Sequence, residues 1–231
     1  MKKKKIIITG GNGRFAEVLK NAKLKLNFIF PSKNQLNITK IKSIQKYIKK
    51  HKPKYLIHCA ALSRPMDIHD KEISKSIDIN IIGTANIVKV CSEFNVKLIY
   101  FSTGYVYPGL KGKYKETDGV LPFNNYAWSK LGGECSVAMY KNSLILRIIM
   151  CEKPFVHKEA FHDIETNFMY QEDVAKIIPK IMNKTGIINI GGKAQSVYNF
   201  VRKTNKSIKK ISGKKLFPPK PSMNIFKFKN L

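Results

Sequence analysis

Acidic residues are scarce in this sequence of 231 residues. Asp and Glu number 15 against 43 Lys and Arg, which gives a formal net charge of +28 at pH 7. From Val174 to Leu231 there is no acidic residue at all. Such an excess attracts polyanions such as nucleic acid, anionic membranes or phosphorylated substrates. Clustered arginines and interleaved aromatic residues, which favour nucleic-acid binding, are not evident, so we interpret the excess mainly as a compositional bias toward lysine. Nucleic acid stays open as a less favoured partner.

Cysteine is also rare and never closely paired. The four cysteines are Cys59, Cys91, Cys135 and Cys151. Metal sites and dithiol redox motifs need close pairs, so we expect no metal site and four buried thiols in a reducing compartment. No apolar run is long enough to span a membrane, and the lysines after Met1 precede only three isoleucines, too few for a secretory signal. The sequence predicts a cytoplasmic protein without a membrane partner.

Short apolar runs alternate with amphipathic stretches through most of the chain. The apolar runs predict strands at residues 6–8, 28–30, 55–59 and 97–101. Helical periodicity predicts four helices. The first ends near residue 22, the second spans residues 38–50, the third spans residues 77–94, and the fourth begins at Tyr126. Such alternation is typical of a mostly parallel, doubly wound α/β sheet. The length allows one such domain with a small appendage.

The turn after the first strand is rich in glycine. It comprises Gly10, Gly11, Asn12 and Gly13, followed by Arg14, Phe15 and Ala16. Gly10 and Gly13 let the backbone bend and approach a pyrophosphate, which the free N–H groups and dipole of the helix start attract. Ala16 replaces the third glycine of the usual fingerprint and is small enough for close helix–strand packing. The turn predicts a dinucleotide site, although such turns also occur without a nucleotide.

The second predicted strand stops at Pro31, and Ser32 and Lys33 follow it. In dinucleotide-binding folds an acidic side chain near this point binds the adenosine ribose and would repel a 2′-phosphate. Because neither residue is acidic, we expect NADPH to be preferred, with NADH as the alternative.

Two further segments carry groups suited to redox chemistry. Ala60 and Ala61 end the third predicted strand, where small side chains let a cofactor lie against the backbone. His58, inside the apolar run, is expected to be a packed strand histidine rather than a base. Tyr126 and Lys130 are four residues apart and share one helical face. An ammonium there can lower the pKa of the phenol, so that the tyrosine transfers a proton near neutral pH.

These segments together resemble the extended short-chain dehydrogenase/reductases, and within them the dTDP-4-dehydrorhamnose reductase group. The matching segments are Thr9–Ala16, His58–Ala61, Asn80–Thr84 and Phe101–Tyr107, and the likeness spans roughly residues 4–199. The resemblance implies a Rossmann-like fold and an NAD(P)-dependent oxidoreductase of dTDP-rhamnose or related nucleotide-sugar metabolism. Its substrate would be a 4-keto-6-deoxy sugar linked to a nucleoside diphosphate.

The resemblance also implies roles for single residues. Thr103 would bind the reacting oxygen, Tyr126 would donate the proton and Lys130 would hold the nicotinamide ribose, while hydride comes from C4 of the nicotinamide. With the residues named above, the predicted cofactor-binding set is Gly10, Gly11, Asn12, Gly13, Arg14, Phe15, Ser32, Lys33, Asn37, Ile38, Ala60, Ala61, Leu62, Asn80, Tyr126 and Lys130. The predicted substrate contacts are Thr103, Tyr105 and Met150.

Three departures from the pattern of the group concern the substrate side. Gly104 replaces a usual aspartate, Met150 stands where a tryptophan is typical, and the chain after Arg147 is short. We predict a cofactor-binding domain at residues 1–147 and a small substrate-binding lobe with a basic tail at 148–231, with 168–190 returning to the main domain.

Two alternatives to a reductase stay open. One is a nucleotide-sugar 4-epimerase, which uses the same trio of residues and returns the hydride. The other is a non-catalytic NAD(P)-binding protein that regulates a partner enzyme or contacts RNA. The oligomeric state also stays open: relatives pair through helices that correspond here to regions near residues 81–94 and 126–140, which would give a homodimer.

Overall fold

Strands and helices alternate along the chain in the computed structural model, which describes residues 4–231. The strands are β1 (Lys5–Thr9), β2 (Asn27–Ile29), β3 (Tyr55–His58), β4 (Lys97–Thr103), β5 (Ser143–Ile148), β6 (Met150–Cys151), β7 (Glu159–Phe161), β8 (Glu165–Thr166), β9 (Met169–Tyr170), β10 (Gly186–Ile190), β11 (Gln195–Ser196) and β12 (Lys209–Ile211). The helices are α1 (Arg14–Asn21), α2 (Ile41–His51), α3 (Ile68–Lys71), α4 (Ile73–Ser76), α5 (Gly83–Glu93), α6 (Asn125–Ala138), α7 (Gln171–Ile181), α8 (Val197–Val201) and α9 (Phe226–Lys229). The charged start at residues 1–3, considered above as part of a signal, lies outside the described residues.

Six of these strands form one parallel sheet in the order β10-β5-β4-β3-β1-β2. Strands β3, β4 and β5 are buried along their whole length, as expected where helices cover both faces of a parallel sheet. The chain leaves β1 toward β2 on one side and later continues from β3 on the other. The order therefore reverses between β1 and β3, and open α/β sheets bind ligands at the carboxyl ends of the strands beside such a point. The predicted Rossmann-like class is confirmed.

Helices cover both faces of the sheet with apolar side chains. Leu19 of α1 and Ile178 of α7 belong to the cluster on one face. Ile44 of α2, Ile87 of α5 and Val137 of α6 belong to the cluster on the other face. This packing places the N-terminus of α1 and the carboxyl end of β4, with Ser102 and Thr103, at the same edge of the sheet.

A smaller apolar cluster lies outside the sheet and is built from β7, α8 and the residues that precede β8 and β12. Its buried members are Ala160, Ile164, Val197, Val201 and Ile208. Strand β12 pairs with β7, and β11 pairs with β8. Between these pieces, α7 packs against the sheet and β10 joins its edge. The boundary after residue 147 stays a prediction.

Several local expectations need correction. The stretch predicted as one helix at residues 77–94 begins as a π-helix, Ile77–Ile82, and becomes α-helical at Gly83. The helix expected from residue 38 begins at Ile41, because the Asn37 side chain accepts a hydrogen bond from the Thr39 N–H and stabilises a turn. Cys135 is exposed, so the prediction of four buried thiols is wrong there.

The described residues include no helix that is both long enough and apolar enough to cross a membrane.

Candidate active site

The glycine turn forms one wall of the crevice at the carboxyl ends of β1 and β3. Gly10 has a φ of +72°, a conformation that glycine adopts without strain, and its carbonyl accepts a 2.7 Å hydrogen bond from the Gly13 N–H. A Cβ at Gly10 would lie 3.0 Å from the backbone of Ala60, and one at Gly11 would lie 2.6 Å from the Pro31 carbonyl oxygen. The turn therefore requires glycine at both positions.

Helix α1 starts directly after this turn. Its N-cap, Gly13, has no side chain with which to cap the first N–H groups. Those groups and the positive end of the helix dipole form a site suited to a phosphate. Asn12 and Arg14 are exposed at this point, as the predicted cofactor contacts require, while the Phe15 ring packs 5.0 Å from the ring of Phe101 in the core. Phe15 can therefore meet a cofactor only through its backbone.

The adenosine side of the predicted site lies beyond β2. Ser32 donates its N–H to the Gln35 side chain, and Lys33 is exposed to solvent. Asn37 is half-buried, whereas the Ile38 side chain is buried in the core. Lys33 can thus approach a 2′-phosphate, whereas the Ser32 hydroxyl already accepts a hydrogen bond from the Gln35 N–H at 3.4 Å. Ile38 can contribute only its backbone.

The loop after β3 forms the opposite wall and is held by Asn80. The Asn80 amide accepts a 2.8 Å hydrogen bond from the Leu62 N–H and donates to the Leu62 carbonyl and to the Ser129 hydroxyl. Ala60 is tied to β1 by a hydrogen bond from its N–H to the Thr9 hydroxyl. Asn80 is buried, so its side chain positions the loop against α6; its predicted contact with a cofactor stays a prediction.

Thr103, Tyr126 and Lys130 are brought together above the sheet. Thr103 is the last residue of β4, and Tyr126 lies in the first turn of α6, which Asn124 caps by accepting a hydrogen bond from the Ala127 N–H at 2.8 Å. The Thr103 side chain lies close enough to the Tyr126 phenol to lower its pKa. Lys130 lies one turn further along α6, and its Nζ is 4.2 Å from the centroid of the Tyr100 ring.

The acidities of this trio differ from the sequence-based expectation. Burial raises the pKa of Tyr126 to about 12. The Thr103 side chain and the charge of Arg64 lower this pKa, but by less than burial raises it. Burial also lowers the pKa of Lys130 to about 7, against the opposing effects of Cys59 and Glu134. The expectation that Lys130 lowers the pKa of Tyr126 is therefore wrong for this arrangement, because desolvation dominates both groups.

His58 takes no part in the crevice, which confirms the interpretation of a packed strand histidine. Its Nδ1 lies 2.7 Å from the Thr9 hydroxyl and its Nε2 lies 3.1 Å from the Thr84 hydroxyl. Burial lowers the pKa of this imidazole to about 3, with a further contribution from Lys130. The His58 imidazole is therefore neutral, and it links β1 to α5.

A buried ion pair supports the strand ends that carry the trio. Arg147 of β5 contacts Glu134 of α6 at 2.5 Å, and the Ser102 hydroxyl donates to the same carboxylate. Arg147 also donates to the Tyr107 hydroxyl at 2.7 Å. Sequence reasoning missed this network, because its members are separated in the chain and carry no motif.

The substrate side is aromatic. Tyr105 follows Thr103 in a 3₁₀ turn, and its ring centroid lies 5.3 Å from that of Phe123 and 6.0 Å from that of Phe217. Met150 is half-buried at the start of β6. Phe123 and Phe217 were not predicted, and only the fold brings the latter to Tyr105. Gly104 is close-packed, since a Cβ there would lie 2.9 Å from the flexible side chains of Met223 and Ile149, which would have to move to accept an aspartate.

Within residues 4–231, no group of three or more His, Cys, Asp or Glu side chains is arranged to hold a metal ion.

Comparison with known families and sequences identifies relatives of two kinds. A family model described as the RmlD substrate binding domain matches residues 4–151. The beta subunit of methionine adenosyltransferase 2 from Pongo abelii is 31% identical over 121 residues, which is 51% of this chain and 35% of that protein. A dTDP-4-dehydrorhamnose reductase from Aggregatibacter actinomycetemcomitans is 31% identical over 150 residues, 62% of this chain and 50% of that protein. The matched region thus spans half or less of the length of these relatives.

Solved structures show the same fold over the whole chain. A dTDP-4-dehydrorhamnose reductase from Bacillus anthracis, in complex with NADP, superposes with a TM-score of 0.87 at 23% identity, covering 100% of this chain and 92% of that one. A reductase of the same name from Clostridium acetobutylicum gives a TM-score of 0.84 at 23% identity and covers 98% of this chain and 92% of its own.

Proposed function

Because this chain belongs to the RmlD substrate binding domain family, we propose that it is an NADP(H)-dependent reductase. Its substrate is a 4-keto-6-deoxy sugar carried on a nucleoside diphosphate. The observation that carries the proposal is the convergence of Thr103, Tyr126 and Lys130 beside the glycine turn of α1. A ketone that accepts hydride develops alkoxide charge, and a hydroxyl pair next to a buried ammonium can stabilise and protonate it.

The cofactor supplies hydride from C4 of its nicotinamide, and the chain supplies everything else. The N–H groups at the start of α1 bind the pyrophosphate, and Lys130 binds the nicotinamide ribose. Thr103 holds the carbonyl oxygen, and Tyr126 delivers the proton to it. Ser32 and Lys33 favour NADPH because they offer a hydroxyl and a cation where an acidic residue would repel the 2′-phosphate.

Support for the cofactor and substrate comes from relatives rather than from this chain alone. The Bacillus anthracis structure holds NADP. That protein, the one from Clostridium acetobutylicum and the relative from Aggregatibacter actinomycetemcomitans are all named dTDP-4-dehydrorhamnose reductase. The test below offers several sugars and nucleotides, because Gly104 and Met150 depart from the pattern of the group.

The test is NADPH oxidation, followed by its absorbance, with a panel of dTDP-, UDP- and GDP-linked 4-keto-6-deoxy sugars. We expect turnover with at least one sugar, and loss of about a hundredfold or more in Tyr126→Phe, since general acid catalysis contributes roughly 10²–10⁴ in rate. Tyr47→Phe, on α2, is the matched control and should keep full activity. Equal turnover in Tyr126→Phe would contradict the proposed chemistry.

A second candidate is a regulatory subunit that binds the cofactor without turnover. It is favoured by the match to the beta subunit of methionine adenosyltransferase 2 over 51% of this chain. A 4-epimerase is the third candidate and shares the trio. Tight NADPH binding without oxidation across the whole panel would favour the subunit, and interconversion of sugars without net oxidation would favour the epimerase.

We also infer that two copies pair through π-helix 77–82, α5 and α6. Ile82 and Trp128 on these helices are exposed, and so is Met139 directly after α6, to 85%. Apolar side chains of this size on adjacent helices suit a helix-to-helix interface. Light scattering that gives the mass of a single chain at micromolar concentration would contradict this inference.

A further inference from the structure

Two arginines share one carboxylate at the mouth of the crevice. The Oε1 oxygen of Glu152 forms an ion pair with the Nε of Arg14 at 3.2 Å, and it accepts a hydrogen bond from the Nη1 of Arg64 at 2.9 Å. A second hydrogen bond joins Arg64 to the other carboxylate oxygen at 3.2 Å, so this contact is bidentate. We call the three residues the Arg–Glu–Arg bridge.

The bridge crosses the crevice from one wall to the other. Arg14 is the first residue of α1 and stands beside the glycine turn. Arg64 lies in the loop after β3, and Glu152 follows β6. The Arg14 guanidinium also reaches the hydroxyl of Ser63 in that loop at 3.5 Å. The bridge therefore lies at the carboxyl ends of the strands that flank the switch point, where the proposed pyrophosphate site begins.

The charges of the bridge do not balance. Two guanidinium groups face a single carboxylate, which leaves one positive charge in excess. Each guanidinium has five N–H donors, so donors remain after the contacts with Glu152. Among residues 4–231, Glu152 is the one carboxylate within ion-pair distance of either arginine. Glu152 is 15% exposed, whereas Arg14 and Arg64 are 51% and 37% exposed, so the arginines are the accessible members.

The geometry of a guanidinium suits phosphate oxygens as well as it suits a carboxylate. The guanidinium is a planar fork whose N–H groups can pair with two oxygens of either group. A diphosphate offers more oxygens and more charge than Glu152. Arg64 also acts on the chemistry of the site, because its charge lowers the pKa of Tyr126. A ligand that holds Arg64 near the crevice would therefore couple binding to the proton donor.

We propose that Arg14 and Arg64 form a diphosphate-binding site and that Glu152 is its internal competitor. The incoming diphosphate takes over the guanidinium groups that Glu152 occupies in the free protein. The inference deepens the proposed function, on which it rests for the nature of the ligand. Two ligands of the proposed reaction carry this group, NADPH and the sugar nucleotide, and the test separates them.

The test measures the dissociation constants of NADPH and of dTDP by calorimetry, at low salt, for the wild type and for variants of the bridge. Glu152→Gln removes the competing charge and should tighten binding of at least one ligand by about threefold or more, since each hydrogen bond to a charged group is worth roughly a tenfold change in affinity. Arg64→Gln removes the receptor and should weaken binding of the same ligand by about tenfold. In the double variant the gain from Glu152→Gln should vanish, because that gain acts through Arg64.

Glu93→Gln is the matched control. Glu93 is an exposed carboxylate at the end of α5 that accepts a hydrogen bond from the Gln45 side chain at 2.8 Å, and the same change there removes a charge without touching the bridge. Its affinities should equal those of the wild type. Thermal unfolding of every variant verifies that each one is folded.

The ligand that responds identifies the occupant of the site. A response of NADPH alone assigns the site to the cofactor, a response of dTDP alone assigns it to the substrate, and both results support the proposal. Unchanged or weaker binding of both ligands in Glu152→Gln, equal tightening in the single and double variants, or a wild type that binds neither ligand would overturn it. The readout is binding, so a wild type that binds but reduces no sugar would refute the reductase and leave the bridge standing.

Discussion

At the scale of single residues, Lys130 shows how a group of the candidate active site can lower the free energy of unfolding. Its ammonium is buried, and burial lowers its pKa to about 7 from the ordinary value of 10.5. Between these two values the unfolded chain binds a proton that the folded chain does not. The free energy of unfolding should therefore rise as the pH rises through this range, and the full penalty applies below pH 7.

Replacing this lysine should separate stability from activity. We expect Lys130→Met to raise the free energy of unfolding by about 1–3 kcal/mol near neutral pH, because one pKa unit corresponds to about 1.4 kcal/mol and packing losses offset part of the gain. The gain should shrink toward pH 10, and reductase turnover should be lost. Urea unfolding of both proteins at the two pH values measures this. A variant that is less stable than the wild type near neutral pH would show that the lysine does not oppose folding.

His58 gives a second proton-linked prediction, with stability lost on the acid side. Its pKa falls from 6.5 to about 3 on folding, so the unfolded chain binds the extra proton in between. Stability contributed by the neutral ring is complete above pH 6.5 and should fall with pH, by up to about 1.4 kcal/mol per pH unit.

Substitution of His58 tests this linkage through a slope rather than an absolute stability. His58→Asn should lower the dependence of unfolding free energy on pH by about one proton between pH 4 and 6, whatever its effect on stability. His69, whose pKa burial also lowers, keeps its own contribution. The exposed His162→Asn is the control and should keep the wild-type slope. Identical slopes in all three proteins would refute the assignment.

The residues that sequence reasoning found and missed differ in a physical way. Tyr126 and Lys130 are one helical turn apart, so local spacing alone brings them together. Arg64 and Glu152 are 88 positions apart and meet only in the folded chain. The pKa of Tyr126 was predicted in the wrong direction, because burial cannot be judged from a spacing.

At the scale of elements, the glycine turn is the piece whose backbone is most constrained. Gly10→Ala combines a positive φ with a Cβ only 3.0 Å from the backbone of Ala60. Gly186, with a φ of +80°, has the same conformational demand, but a Cβ there meets no described atom within 4 Å. The two positions separate backbone strain from steric contact.

We expect Gly186→Ala to lower the free energy of unfolding by about 1 kcal/mol, from strain alone. Gly10→Ala should lower it by roughly 1–2 kcal/mol more, because the contact adds to the strain. It should also weaken NADPH binding by about tenfold or more, since the turn no longer approaches a pyrophosphate. Unfolding and NADPH titration measure both effects. Unchanged affinity in Gly10→Ala would show that the turn does not bind the cofactor.

Strands were predictable as elements because their apolar runs are short and bounded by turn residues. The helix at residues 77–94 was predictable as a helix, but its π-helical start at Ile77–Ile82 was not. One extra residue per turn leaves no mark in a pattern of apolar residues. That start carries Asn80, whose side chain holds the loop at Leu62, which fits the occurrence of π-helical turns at functional sites.

At the scale of the whole molecule, the net charge of +28 should act on substrate capture. A positive field speeds the encounter with an anionic sugar nucleotide, and salt screens it over about 8–10 Å at physiological ionic strength. We expect kcat/KM to fall severalfold when salt is raised from low to high concentration, with kcat little changed. Steady-state kinetics over a salt series measures this. A kcat/KM independent of salt would show that the charge is compositional only.

The sheet could be predicted from the sequence as a whole, whereas the small lobe could not. Its cluster joins Ala160 and Ile164 to Val197, Val201 and Ile208, with α7 and β10 of the main sheet between them in the chain. The basic tail ends in the short helix α9, which the sequence pattern did not predict. Contacts between segments that are distant in the sequence determine the structure of both the small lobe and the tail.

Transfer of a labelled hydride tests the central claim most directly. The protein is incubated with NADPH deuterated at the transferable C4 position and with a keto sugar nucleotide, and the sugar product is analysed by mass spectrometry. A reductase that uses Tyr126 predicts a product one mass unit heavier than with unlabelled NADPH, formed by the wild type and not by Tyr126→Phe. Deuterium that stays in the cofactor, although NADPH is bound and every sugar of the panel has been offered, would contradict it.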